Sequence, residues 1–139
     1  MGRVVGIDFG MKRIGLARSD PMKMIAFPLK TISAGKNLEE TADLVLKELE
    51  DVETIVLGLP ILLSGKDSDT TTMVRKFAET LEKKSGLPLI LWDERLTSKQ
   101  VEKLMTEGQV SRKNRSSHVD TMSATLILQN YLDGNSHAR

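Results

Sequence analysis

The sequence predicts an α/β fold on a mixed five-stranded sheet, three antiparallel strands followed by parallel βα units, with helices on its faces. Three observations lead there. Strand-type runs crowd the first third of the chain; helical and strand periodicities alternate after that; and Gly, Pro or a capping residue punctuates the changes.

Arg3-Val4-Val5-Gly6-Ile7-Asp8-Phe9 reads as a strand stopped by Gly10. Arg13 to Ser19 is a second, with Met11-Lys12 as a tight connection. A third runs from Met24 to Ile32, where Pro28 points to an edge or a bulge. Asn37-Leu38-Glu39-Glu40 is close to a capping box, and Leu38, Ala42, Val45 and Leu49 then recur on one helical face. Thr54 to Leu57 is a buried-type strand closed by Gly58-Leu59-Pro60. Met73, Val74, Phe77, Ala78 and Leu81 mark a second helix that stops at Gly86-Leu87-Pro88. Leu89 to Trp92 is the next strand, leading into Asp93-Glu94-Arg95. Thr97 to Gln100 caps a third helix reaching Thr106, a polar basic loop spans Gly108 to Ser117, and a last helix runs from His118 to Leu132.

At 139 residues the chain has the size of one domain able to bury a core. Residues 1–133 are therefore expected to form a single unit and 134–139 a disordered tail. The lack of cysteine excludes disulfide frameworks, thiolate zinc sites and cysteine nucleophiles. No apolar run approaches the roughly 20 residues that cross a bilayer, and the N-terminus opens on a strand with no signal-peptide pattern. A cytoplasmic protein without a membrane partner is the expectation. Twenty basic residues against nineteen acidic ones do not mark a nucleic-acid binder, so phosphate contacts need a local patch. The aromatics, Phe9, Phe27, Phe77, Trp92 and Tyr131, are scattered and give poor support to a base-stacking platform.

Three carboxylates stand where a carboxylate needs a reason. Asp8 lies in an apolar strand, where aspartate is disfavoured and costly to bury without a cationic partner. It is either a turn-initiating residue before Gly10 or a ligand at the strand's C-terminal end, with glycines at 6, 10 and 15 letting a bulky ligand approach. Asp93 and Glu94 follow an apolar strand at the sheet edge where α/β proteins bind ligands, or else form an exposed acidic turn. Asp120 has capping-box spacing from Ser117 and suits a helix first turn. It also shares the face of Ala124, Ile127, Leu128 and Tyr131, which should pack on the sheet. Together, Asp8, Glu94 and Asp120 could converge on one cation. Oxygen-only ligation selects Mg²⁺ or Mn²⁺ over zinc, and such ions can activate a water and stabilise the leaving oxygen of a phosphodiester.

The basic residues form either a solvated surface or a phosphate-binding rim. Arg95 adjoins the acidic pair, Lys99 and Lys103 are i,i+4 on the next helix, and Arg112, Lys113 and Arg115 crowd the segment before Asp120. Their closeness in sequence to two of the three acids favours the rim.

These motifs resemble the YqgF (RuvX) family of pre-16S rRNA nucleases and Holliday-junction-resolvase-like proteins. The resemblance rests on Gly6-Ile7-Asp8-Phe9-Gly10 with Gly15-Leu16-Ala17, Gly58-Leu59-Pro60 with Gly65, and Arg75-Lys76-Phe77-Ala78. Trp92-Asp93-Glu94-Arg95-Leu96-Thr97 and Val119-Asp120 running on to Ile127-Leu128-Gln129-Asn130-Tyr131-Leu132 complete it. It implies an RNase H-like fold similar to that of RuvC-type resolvases. It also implies an acidic metal site of Asp8, Glu94 and Asp120, supporting roles for Gly10, Asp93 and Arg95, and a part in maturing the 16S rRNA 5′ end on pre-30S particles. Branched DNA is the other substrate it implies, cut by a homodimer where the RNA enzyme could be a monomer. Two departures bear on substrate contacts: Leu62 where members often have Asn, and Ser116 and Ser117 where many carry a lysine.

Two other functions stand against this one. The first strand alone also resembles the phosphate loop of actin-like and Hsp70-like ATPases, which need a second, duplicated domain. A non-catalytic RNA-binding assembly factor would keep the fold, but the presence of all three acids argues against decay of the site.

Overall fold

The computed structural model of the chain describes residues 2–62, 64–94 and 112–137, the last stretch with side chains over 121–134. Five strands and three helices lie among the described residues: β1 (Arg3–Phe9), β2 (Arg13–Ser19), β3 (Ala26–Ser33), α1 (Leu38–Leu46), β4 (Val52–Leu59), α2 (Asp69–Ser85), β5 (Leu89–Asp93) and α3 (Arg112–His137). The sheet order is β3-β2-β1-β4-β5. β1 pairs antiparallel with β2 and parallel with β4, β2 pairs antiparallel with β3, and β4 parallel with β5. The predicted mixed sheet, meander first and βα units after, is the observed one.

β1 is central because its apolar residues serve both faces. Val5, Ile7 and Phe9 join the core beneath α1 and α2, whereas Val4 joins the core beneath α3. Such two-sided burial is the mark of an interior strand. The third strand begins at Ala26 and not at Met24. The reason is Asp20, whose carboxylate accepts the N–H groups of Met22, Met24 and Ile25 and ties residues 22–25 into a turn. Pro28 meets both expectations for it, lying on an edge strand at a register shift opposite Leu16 and Ala17.

The helix ends follow local chemistry. The Asn37 side chain caps α1 by accepting from the Glu40 N–H at 2.8 Å. Ser68 and Thr71 form a reciprocal capping box on α2, which closes on Gly86 at φ 70°, a left-handed position suited to glycine. The predicted helix from Thr97 to Thr106 lies outside the described residues, as do Arg95, Lys99 and Lys103. The last helix is longer than expected. It starts at Arg112, so residues 112–117 are helical and not loop, as the helix propensity of Arg and Lys allows. It runs on to His137, into the segment expected to be disordered, where a Cβ on Gly134 would lie 3.8 Å from the Trp92 ring.

α3 crosses β1, β2 and β3 with Ala124, Ile127 and Leu128 fully buried, as their shared face predicts. Gly6 permits this crossing: a Cβ there would lie 2.7 Å from the Leu128 Cβ and 2.8 Å from the Ala124 carbonyl oxygen. Gly6 therefore admits a helix, and Gly10, whose Cβ would meet the Arg13 carbonyl oxygen at 2.4 Å, admits the hairpin turn. The contacts that call for glycine at these two positions are thus with a helix and with a turn. Because the obstacle at Gly6 includes helix backbone, Gly6→Ala is expected to cost about 2 kcal/mol of stability. A denaturant midpoint equal to that of the wild type would contradict this packing. Gln129 ties α3 to the edge strand, accepting from the Ala26 N–H and donating to the Met24 carbonyl.

The aromatics scattered in sequence pair in space. Phe9 meets Phe77 in the core at a centroid distance of 4.6 Å, and Trp92 meets Tyr131 edge-on at 6.0 Å. Both are packing contacts.

Candidate active site

Three parallel strands bring their C-terminal ends to one edge of the sheet. Asp8 is the penultimate residue of β1 and is half-buried. It points to the α3 face, as Val4 and Gly6 do, by strand alternation. Glu94 follows β5, and its N–H donates to the Leu59 carbonyl at 3.1 Å, carrying the β4–β5 ladder one step past the Leu59–Asp93 pair. That bond fixes the backbone of Glu94, which is only 9% exposed.

The Asp8 side chain neighbours the Glu94 carboxyl, within reach of acting on its protonation. Two carboxylates brought close repel, which favours a proton on one of them. Burial pushes the Glu94 carboxyl above its ordinary range and the neighbouring negative charge of Asp93 pushes the same way, while the hydrogen bond with Asp8 opposes both. Two neighbouring acids, one buried and one half-buried, have the donor chemistry of a site for a hard cation, whose charge would offset their repulsion.

Asp8 pairs with Gly15, and Gly15 pairs with Thr31, so one row crosses three strands. At its far end the Thr31 hydroxyl meets that of Thr121 at 2.8 Å. Asp120 is the residue before Thr121 in α3; its side chain lies outside those described. Among the described residues no group of three His, Cys, Asp or Glu side chains could hold a metal ion. Thus the structure brings together Asp8 and Glu94, with Asp93 half-buried beside them. Gly10 serves the adjoining turn, and Arg112, Lys113 and Arg115 fall in the first turns of α3, where only the backbone is described.

Sequence reasoning passed over residues at the same sheet end. Lys12 and Arg13 are exposed in the hairpin after β1, and Lys66 is exposed in the connection after β4. The rule that ligands gather at the C-terminal ends of parallel strands could have found them, since each follows such an end by a few residues. Leu62, where the resemblance leads one to expect Asn, is 48% exposed in that same connection. Gly58, read only as the close of a strand, lies against the Glu94 side chain.

A family model described as "RuvX: Holliday junction resolvase" matches residues 2–134. A Protochlamydia amoebophila (strain UWE25) protein named "Putative pre-16S rRNA nuclease" is 45% identical over 139 residues, covering 94% of this chain and 93% of its own. Relatives of the same name from Koribacter versatilis (strain Ellin345) and Listeria monocytogenes serotype 4b (strain CLIP80459) are 43% and 39% identical. They cover 95% and 94% of this chain, and 87% and 97% of their own lengths. The solved structure of T. thermophilus RuvC in complex with a Holliday junction substrate superposes with a TM-score of 0.57, covering 98% of this chain and 96% of RuvC. At 16% identity that likeness speaks for the fold, which is RNase H-like. With its model spanning nearly the whole sequence and relatives this similar, the chain belongs to the RuvX family.

Proposed function

We propose that this protein is a divalent-metal-dependent nuclease that hydrolyses phosphodiester bonds of structured RNA, acting at the 5′ end of pre-16S rRNA during ribosome assembly in the cytoplasm. The observation that carries the reading is the buried Glu94 side chain with half-buried Asp8 beside it at the C-terminal edge of the sheet. The names of the relatives supply the RNA substrate.

In this reading Asp8, Glu94 and Asp120 hold Mg²⁺ or Mn²⁺. A divalent cation there supplies the charge that lowers the pKa of an attacking water and stabilises the leaving oxygen. The chain's own part is to fix the ligands. Asp8 is held by the β1 ladder, Glu94 by its N–H bond to Leu59, and Asp120 by a helix whose next residue is anchored to Thr31. Asp93 and Gly10 support the site from the adjoining positions. Arg95, Lys99, Lys103, Arg112, Lys113 and Arg115 are the residues assigned to contacts with the backbone phosphates. Replacing Arg112, Lys113 and Arg115 together by Ala is expected to reduce the slope of log affinity against log salt by about 2 to 3. An unchanged slope would remove these three from the rim.

The family's description favours a second substrate, branched DNA. The two are separated by incubating the purified protein with a pre-16S leader RNA and with a four-way DNA junction, in Mn²⁺ or in EDTA. Cleavage of the leader in Mn²⁺ alone is the expected result. Symmetric cutting of the junction with the RNA intact would make the protein a resolvase, and cleavage in EDTA would overturn the metal mechanism.

A further inference from the structure

Gly58 is the penultimate residue of β4 and pairs with Trp92 of β5. Its backbone does not call for glycine, since among the described residues the glycines of positive φ are Gly65 and Gly86. What calls for glycine is space. A Cβ at this position would lie 2.5 Å from the Ile127 Cδ1 and 2.8 Å from both Cγ and Cδ of Glu94. Carbon atoms do not approach so closely, so something must move. At Gly6 the obstacle includes helix backbone, whereas at Gly58 both obstacles are the ends of side chains, which can swing aside. The atom displaced on one side is the carboxyl carbon of Glu94 itself.

We propose that Gly58 is a positioning residue of the active site: its missing side chain leaves the space in which the Glu94 carboxylate lies back on β4, within hydrogen-bonding reach of Asp8, where the cation is held. This rests on the reading of Glu94 as a cation ligand. It explains why a strand interior carries glycine at some cost in strand stability. It also separates two effects of filling the space, one on the packing of Ile127 and one on the aim of Glu94.

The test uses the full chain and Mn²⁺ alone, with free Mn²⁺ counted by electron paramagnetic resonance and folding followed by thermal melting. Gly58→Ala is expected to keep a cooperative transition and to bind Mn²⁺ roughly tenfold to a hundredfold more weakly, the range for groups that orient a ligand. Ile127→Val removes the Cδ1 atom that the new methyl would strike. Gly58→Ala with Ile127→Val should therefore recover the melting temperature and still bind Mn²⁺ weakly. Wild-type affinity in Gly58→Ala, or affinity that returns together with the melting temperature in the double variant, would overturn the positioning role. Glu94→Gln, measured alongside, separates the two layers. If it binds Mn²⁺ as the wild type does, Glu94 is no ligand and both readings fail; if it binds weakly while Gly58→Ala binds normally, only the role of Gly58 fails.

Discussion

Asp8→Asn is expected to lower the Mn²⁺-dependent cleavage rate by about a thousandfold or more, as loss of a member of a concerted catalytic set does. Folding should survive, because the amide is isosteric and can still hydrogen-bond with Glu94. The measurement is a single-turnover rate on leader RNA beside a thermal melt of the same sample. A melt matching the wild type with the rate lost would place the defect in the chemistry. A rate within tenfold of the wild type would remove Asp8 from the site, and with it the reason for an aspartate inside an apolar strand.

Glu94→Gln should have opposite effects on activity and on stability. Cleavage is expected to fall as for Asp8→Asn, while the metal-free protein becomes more stable at neutral pH. The sign follows from the direction of the shift. Burial and Asp93 hold the Glu94 carboxyl above its ordinary value of 4.5 in the folded state. The folded state thus prefers the protonated form, and stability contributed by this group is fully present below that value. It is lost as pH rises through the interval between the ordinary value and the folded one. Glutamine does not titrate and escapes the loss. The melting temperature of Glu94→Gln minus that of the wild type should therefore grow as pH rises above 4.5 and level off beyond the folded value. At neutrality the variant should melt above the wild type. A gap independent of pH would mean that Glu94 is not held protonated by its surroundings. Such a trade of stability against function is common at sites built to hold charge.

Much of this fold was legible because each element carries its own boundary chemistry. The limits of β1 and β2 were read correctly from apolar runs, the first ended by Gly10, and the start of α1 and the end of α2 from Asn37 and Gly86. The third strand was placed two residues early because three backbone bonds to one carboxylate, that of Asp20, are invisible to a count of apolar residues. The start of α3 was missed for a related reason: Ser116 and Ser117 read as loop, yet a long helix absorbs them once its apolar face is anchored on the sheet.

The site was legible in part. Asp8 and Glu94 were singled out because a carboxylate in or after an apolar strand conflicts with local propensity, and the fold places the two in contact. The glycines were noticed, but what each one packs against was not. Whether a glycine admits a helix, as Gly6 does, a turn, as Gly10 does, or a carboxylate, as Gly58 does, depends on what lies across from it, and sequence spacing does not carry that. Asp120 still rests on its place in the family's motif and on its neighbour Thr121.

The account turns on Asp8 and Glu94 forming a cation site, and calorimetric titration of Mn²⁺ into the metal-free protein tests that most directly. Run in two buffers of different ionisation heat at mildly acidic pH, it should show saturable binding coupled to proton release, because burial holds the Glu94 carboxyl above its ordinary range and a cation takes its ionised form. Asp8→Asn should abolish both the binding and the release. Binding that is absent in the wild type, or that persists undiminished in Asp8→Asn, would contradict the account.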